Sequence, residues 1–328
     1  MKNGTQDSTD RAVPLPFRRI LVTGGHGFLG HHIVPRLRAA CSGEILTPGR
    51  ADYDLLEPGA ADRLLRDTTP DCVVHLAAKS GGILDNRLRP ADYFYENLTI
   101  NTAVLHAAWR AGVKKLLTLM GGCSYPAAAV SPIGEDQMWQ GYPQAESAGY
   151  SVAKKMLLVQ SAAYRAQHGF NSLVLIPGNV YGEWDNFNLT QAHVIPALIR
   201  RFSEAREAAA PEVVCFGSGQ PTRDFVYAGD IARLIPWFLA RYDSSAPVNL
   251  STGTRIRIRE LAETIRGLTG YAGRIEWDAA QPDGQMDKIF DVTRLRGLGL
   301  ACPTSLADGL RRTIAWFDDV RVTGDVRL

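Results

Sequence analysis

The chain has 328 residues, 45% apolar and 21% charged, with a formal net charge of +2. That length fills one large or two modest domains, and the near-neutral balance points away from a nucleic-acid or membrane surface. No run of about 18 apolar residues occurs, so no membrane-spanning helix is expected. The five cysteines (Cys41, Cys72, Cys123, Cys215, Cys302) lack metal-like spacing and are odd in number, which argues for a reducing, cytoplasmic setting without metal.

Residues 1–16 are polar, carry Pro14 and Pro16, and read as a disordered leader without the apolar core of a signal peptide. Arg19-Ile20-Leu21-Val22-Thr23 then reads as a buried strand, because branched apolar residues run straight into glycines. Gly24, Gly27 and Gly30 fit G-x-x-G-x-x-G, and Gly25, Gly27 and Gly30 fit G-x-G-x-x-G. A strand, a glycine turn and a helix from about His31 make a dinucleotide pyrophosphate site, with Phe28 and Leu29 inside the turn. A tight strand–helix turn without a ligand is the plain alternative. The second strand, Glu44–Thr47, is followed by Pro48-Gly49-Arg50, with no acid until Asp52. An acid there would hold a ribose 2′-hydroxyl. Arg50 favours a 2′-phosphate and hence NADP(H), the alternative being a solvated loop charge. His26 is a further donor candidate near that phosphate.

Strand-like runs continue at Cys72–Leu76, Lys115–Leu119 and Ser172–Ile176, separated by helical stretches near Ala91–Gly112 and Tyr150–His168. The alternation predicts an α/β fold, a Rossmann-type doubly wound parallel sheet whose ligands lie beyond the carboxyl strand ends. Ala77-Ala78-Lys79-Ser80-Gly81-Gly82 and Gly121–Tyr125 sit at two such ends, and Pro177 closes a third. Ala77, Ala78 and Pro177 are therefore read as cofactor contacts. After Pro177 come loops, a helix over His193–Phe202 and a strand over Val213–Phe216. Phe225–Ile231 and Pro247–Thr252 are expected to return to the main sheet. The division is a cofactor domain over 17–178 with return segments in 225–254, and a substrate lobe from 179–224 and 255–328.

Tyr150 and Lys154 are four residues apart and share one helical face. A phenol with an ordinary pKa near ~10 exchanges protons poorly at neutral pH. A neighbouring ammonium lowers that pKa and makes the tyrosine an acid/base for hydride transfer at a carbonyl or alcohol.

With these residues the chain resembles the extended short-chain dehydrogenase/reductase superfamily, and within it the GDP-L-fucose synthases. The likeness runs from about Arg18 to Phe317. It is carried by Ala77–Ile83, Tyr95-Glu96-Asn97-Leu98, Cys123-Ser124-Tyr125-Pro126, Asn179-Val180-Tyr181-Gly182, His193–Phe202, Gly217–Phe225 and Pro282–Lys288. The resemblance implies that Cys123 and His193 exchange the C3 and C5 protons of a GDP-4-keto-6-deoxyhexose. It further implies that Tyr150 and Lys154 serve an NADPH-dependent reduction at C4. Substrate contacts carry over to Asn179, Arg201, Phe216, Arg223 and Lys288, the arginines suiting a diphosphate by their forked donors. Homodimerisation is expected by analogy with the superfamily.

One departure stands out. Family members carry a serine four residues before the tyrosine of the Cys-x-Tyr-Pro stretch, where it hydrogen-bonds the 4-oxygen; here that position is Gly121. Loss of one preorganised donor costs roughly 10²–10³ in rate. Ser124 is close, but in an extended strand end its parity differs from Gly121 and it should point away. The departure leaves open an epimerase with weak reduction, an enzyme for another nucleotide sugar, or a non-catalytic NADP-binding module.

Overall fold

A computed structural model describes residues 13–281, 283–324 and 328. The first half runs β1 (Arg19–Thr23), α1 (Phe28–Ala40), β2 (Glu44–Leu46), α2 (Ala60–Thr68), β3 (Cys72–His75), α3 (Ile83–Leu88), α4 (Pro90–Arg110), β4 (Lys115–Leu119), α5 (Ala148–His168) and β5 (Ser172–Pro177). The second half runs β6 (Asn179–Tyr181), α6 (Val194–Glu207), β7 (Glu212–Phe216), β8 (Thr222–Arg223), β9 (Phe225–Tyr227), α7 (Ala228–Arg241), β10 (Val248–Leu250), β11 (Ile256–Arg257), α8 (Ile258–Thr269), β12 (Arg274–Asp278), β13 (Asp287–Lys288), α9 (Thr293–Gly297) and α10 (Leu306–Thr323).

Six strands form one parallel sheet in the order β2-β1-β3-β4-β5-β10. Every residue of β3, β4 and β5 is buried, as expected when helices cover both faces. Helices α1 and α7 pack on one face through Ile33, Leu37, Ile231 and Phe238. Helices α2 and α4 close the other through Leu64, Leu65, Val104 and Leu105. Strand order reverses between β1 and β3, and crevices at such a point receive dinucleotides.

The second lobe is built from the parallel pair β7–β12, the three-stranded sheet β11-β8-β13, and α6, α8 and α10 around Phe187, Phe202, Leu261 and Phe317. Two expectations are corrected here. Phe225–Tyr227 does not join the main sheet; it pairs in parallel with β6, Asn179 opposite Phe225. The chain turns into α7 directly after Tyr227, so the strand that reaches β5 is the one beyond that crossover helix, Val248–Leu250. The expected leader lies outside the described residues up to residue 12. Its last part belongs to the fold: Leu15 is buried and its amide donates to the Ala40 carbonyl at 3.0 Å. No helix among the described residues is long and apolar enough to cross a membrane.

Candidate active site

The glycine turn is shaped by what a side chain would strike. Gly24 has φ +70°, and a Cβ there would lie 2.7 Å from the Ala77 amide nitrogen. On Gly30 it would lie 2.3 Å from the Gly25 carbonyl oxygen. Only glycine lets α1 start this close to β1 and β3. Helix α1 begins at Phe28 with Gly27 as its cap, no capping side chain and no acid in its first turn. Its free amides and positive dipole end therefore suit a pyrophosphate. The Ala77 amide donates to Thr23 Oγ1 at 3.4 Å, which ties the end of β3, with Ala77 and Ala78, to this turn. Behind it Thr23 Oγ1 and Asn101 Oδ1 lie 2.7 and 3.1 Å from the two ring nitrogens of His75, whose burial pushes its pKa down to about 3. A neutral histidine thus supports the crevice without adding charge.

After β2, His26 Nε2 bonds the Thr47 carbonyl at 2.8 Å. Asp52 is engaged by its own loop, accepting from the Gly49 amide at 2.9 Å. Arg50 projects into solvent and pairs with Asp54 at 2.9 Å, its side chain 73% exposed. An exposed pair of this kind is worth little, so the guanidinium remains free to exchange Asp54 for a phosphate.

The chemistry converges at the end of β4. Gly121 is extended and Gly122–Ser124 form a single 3₁₀ turn. A Cβ on Gly121 would lie 3.1 Å from Cys123 Sγ and 3.6 Å from the Tyr150 hydroxyl. Thiol and phenol therefore border the same methyl-sized volume. The turn replaces the extended backbone assumed for Ser124 but leaves the expected outcome in place: Ser124 is fully buried away from the site, its hydroxyl unpartnered among the described residues. The Pro177 carbonyl oxygen lies 3.3 Å from where a Gly122 Cβ would stand, so the end of β5 closes the same corner.

Lys154 follows Tyr150 by one turn of α5 and is buried, which pulls its pKa down to about 8; the charge of Cys123 opposes that shift. The expectation that an ammonium depresses the Tyr150 pKa is corrected. Burial pushes the phenol upward, Cys123 adds to that, and the neighbouring Ser80 side chain works against it. Desolvation is the largest influence on the phenol, and Lys154 is not among the groups that shift it.

Lys288 is buried beside Cys123 and is likewise held down to about 8 by burial. It sits on β13 directly opposite Arg223 of β8. Lys288 thus faces the thiol from the substrate lobe, with Arg223 as its strand partner. Asn179 commits its amide to the Asp224 carbonyl at 2.8 Å. Arg201 and Phe216 form a separate pair, the guanidinium 5.0 Å from a ring that is 61% exposed. His193 is exposed at the cap of α6. The loop before it is docked by the Gly82 amide, which donates to the Gln191 carbonyl at 2.6 Å.

The residue missed from the sequence is Ser80. It lies in the loop after β3, seventy positions before Tyr150, and the sequence carries no local signal that joins the two.

A parallel doubly wound sheet with a glycine turn at its switch point defines a dinucleotide-binding protein, here with a Tyr–Lys pair at the carboxyl strand ends. The chain belongs to the NAD dependent epimerase/dehydratase family, whose sequence pattern matches residues 20–251. It is similar to GDP-L-fucose synthase 1 of Arabidopsis thaliana, 38% identical over 299 residues, 91% of this chain and 93% of that protein. The GDP-L-fucose synthase of Escherichia coli (strain K12) is 37% identical over 309 residues, 92% of this chain and 96% of that one. A crystal structure of a GDP-L-fucose synthetase from Naegleria fowleri bound to NADP superimposes with a TM-score of 0.86 at 28% identity, covering 94% of this chain and 96% of that one.

Proposed function

We propose that this chain is an NADP(H)-dependent epimerase/reductase of a GDP-4-keto-6-deoxyhexose. The observation that carries the reading is the shared border of Cys123 and Tyr150 on the Gly121 volume. C4 of a sugar lies between C3 and C5, so a reductase acid and an epimerase base must stand side by side. The nicotinamide cofactor supplies hydride to C4 when bound. The glycine turn and the amides of α1 bind its pyrophosphate.

Cys123 removes a proton made acidic by the 4-keto group, and His193 serves as its counterpart across the ring. Tyr150 then gives its hydroxyl proton to the C4 oxygen. A phenol kept protonated by burial is an acid throughout the neutral range, which suits reduction. Lys154 orients the tyrosine and the ribose. Arg223 and Lys288 hold the diphosphate, with Asn179, Arg201 and Phe216 lining the remaining approach. Two copies pair through α4 and α5, whose outer faces expose Phe94, Tyr95 and Val159; light scattering should find two chains per particle, and a single chain would reject the pairing.

A second reading, epimerisation without reduction, is favoured by Gly121 alone. Incubation with GDP-4-keto-6-deoxymannose in D₂O, with and without NADPH, separates them. Deuterium uptake with loss of 340 nm absorbance supports the bifunctional enzyme. Uptake alone leaves an epimerase, and neither rejects this substrate. Tyr150→Phe should reduce hydride transfer by roughly 10²–10⁴-fold while leaving deuterium uptake in place; wild-type reduction would remove Tyr150 from the role.

A further inference from the structure

We infer that Ser80 supplies the second hydroxyl at the C4 oxygen, in place of the serine that Gly121 has lost. The inference rests on the reductase reading above. Gly121 leaves an open volume against the Tyr150 hydroxyl, 3.6 Å from where its Cβ would stand. From another strand end, Ser80 adjoins Tyr150 and acts on its phenol; its neighbour Gly81 abuts the Tyr93 hydroxyl, and the Tyr93 ring packs on Tyr150. Ser80 is exposed, whereas Ser124, the nearer candidate in sequence, is fully buried and out of a substrate's reach.

The loop bearing Ser80 is held on both sides. Buried Asn97 accepts from the Lys79 amide at 3.1 Å and donates to the Lys79 carbonyl at 3.0 Å. Asn86 Nδ2 donates to the carbonyls of Gly81 and Gly82, each at 3.0 Å. Gly81 admits no side chain, since a Cβ would lie 2.2 Å from the Tyr93 hydroxyl. Tyr93 in turn meets the Tyr150 ring edge to face at 6.2 Å. Ser80 is therefore clamped between two immobilised neighbours beside the acid it contacts. A donor held in place before charge develops is the arrangement that stabilises an oxyanion. In the step, the Tyr150 proton passes to the C4 oxygen as hydride arrives at C4. Ser80 keeps its own proton and donates a hydrogen bond to that oxygen.

The test compares wild type, Ser80→Ala, Ser80→Thr, Gly121→Ser and the Ser80→Ala/Gly121→Ser double variant. NADPH oxidation and deuterium uptake from D₂O are followed with GDP-4-keto-6-deoxymannose. Ser80→Ala should lower kcat for reduction by roughly 10²–10³-fold, with KM and deuterium uptake within about threefold of wild type. Ser80→Thr should retain most activity. Gly121→Ser should add little to wild type yet restore the double variant to within about tenfold of wild type, because either position then provides the hydroxyl. Wild-type reduction by Ser80→Ala overturns the assignment. So does a parallel loss of reduction and deuterium uptake without rescue, which would mark a structural role. A wild type that takes up deuterium without oxidising NADPH overturns the reductase reading itself, and the assignment with it, before any variant is made.

Discussion

Lys288→Met tests whether a buried cation is kept here at the expense of stability. Burial lowers the Lys288 pKa from its ordinary 10.5 to about 8. At pH 7 the ammonium is thus harder to keep charged in the folded chain than in the unfolded one, by about 3 kcal/mol. Methionine has nearly the same length and no charge, so the variant should be more stable by up to that amount at pH 7. The sign with pH follows. Between about 8 and 10.5 the unfolded chain binds the proton and the folded chain does not, so the wild type regains stability as pH rises. By pH 9.5 the recovery from this group should be about 2 kcal/mol. Urea unfolding of both proteins at pH 7 and pH 9.5 measures it: the gap should be largest at pH 7 and shrink by about 2 kcal/mol at pH 9.5. Taking the difference between the proteins cancels the other titrating groups, Lys154 included. The same variant should lose GDP-sugar affinity, since the cation opposite Arg223 is gone. A variant less stable than wild type at pH 7, or with an unchanged pH slope, would refute the reasoning.

Cys123→Ser should cut deuterium uptake at C3 and C5 by roughly 10²-fold or more, because a hydroxyl is a far weaker base under the same geometry; unchanged exchange would exonerate the thiol. Arg50→Ala should raise KM for NADPH about tenfold, leave NADH unaffected, and cost little stability because its ion pair is exposed. An unaltered preference between the cofactors would mark Arg50 as a loop charge. Gly30→Ala places a methyl carbon 2.3 Å from the Gly25 carbonyl. Fluorescence titration should show NADPH binding weakened at least about tenfold, with a stability loss of about 1–3 kcal/mol. Wild-type affinity would mean that the turn moves aside without cost.

Much of the fold was legible because its signals are local. Apolar runs of strand length, a glycine turn after one of them and a Tyr–Lys pair on one helical face are short-range facts, set by backbone sterics and side-chain periodicity. They placed β1, β3, β4, β5, α1 and α5 to within a few residues. Departures began where pairing is long-range. Phe225–Tyr227 looks like a main-sheet strand, but pairs with Asn179–Tyr181 because α7 follows it at once. The 3₁₀ turn at Gly122–Ser124 likewise replaced the extended backbone expected there.

The sequence by itself determined the class of fold, the dinucleotide crevice and the pairing of Tyr150 with Lys154 on one helical face, since each depends on neighbours within one turn or strand. Only the tertiary structure decided that Cys123 and Tyr150 border one empty volume, that Lys288 lies opposite Arg223, and that Ser80 reaches Tyr150. It also decided that Tyr150 is pushed up and not down, because desolvation sums over every element packed around a group and no stretch of sequence contains that sum.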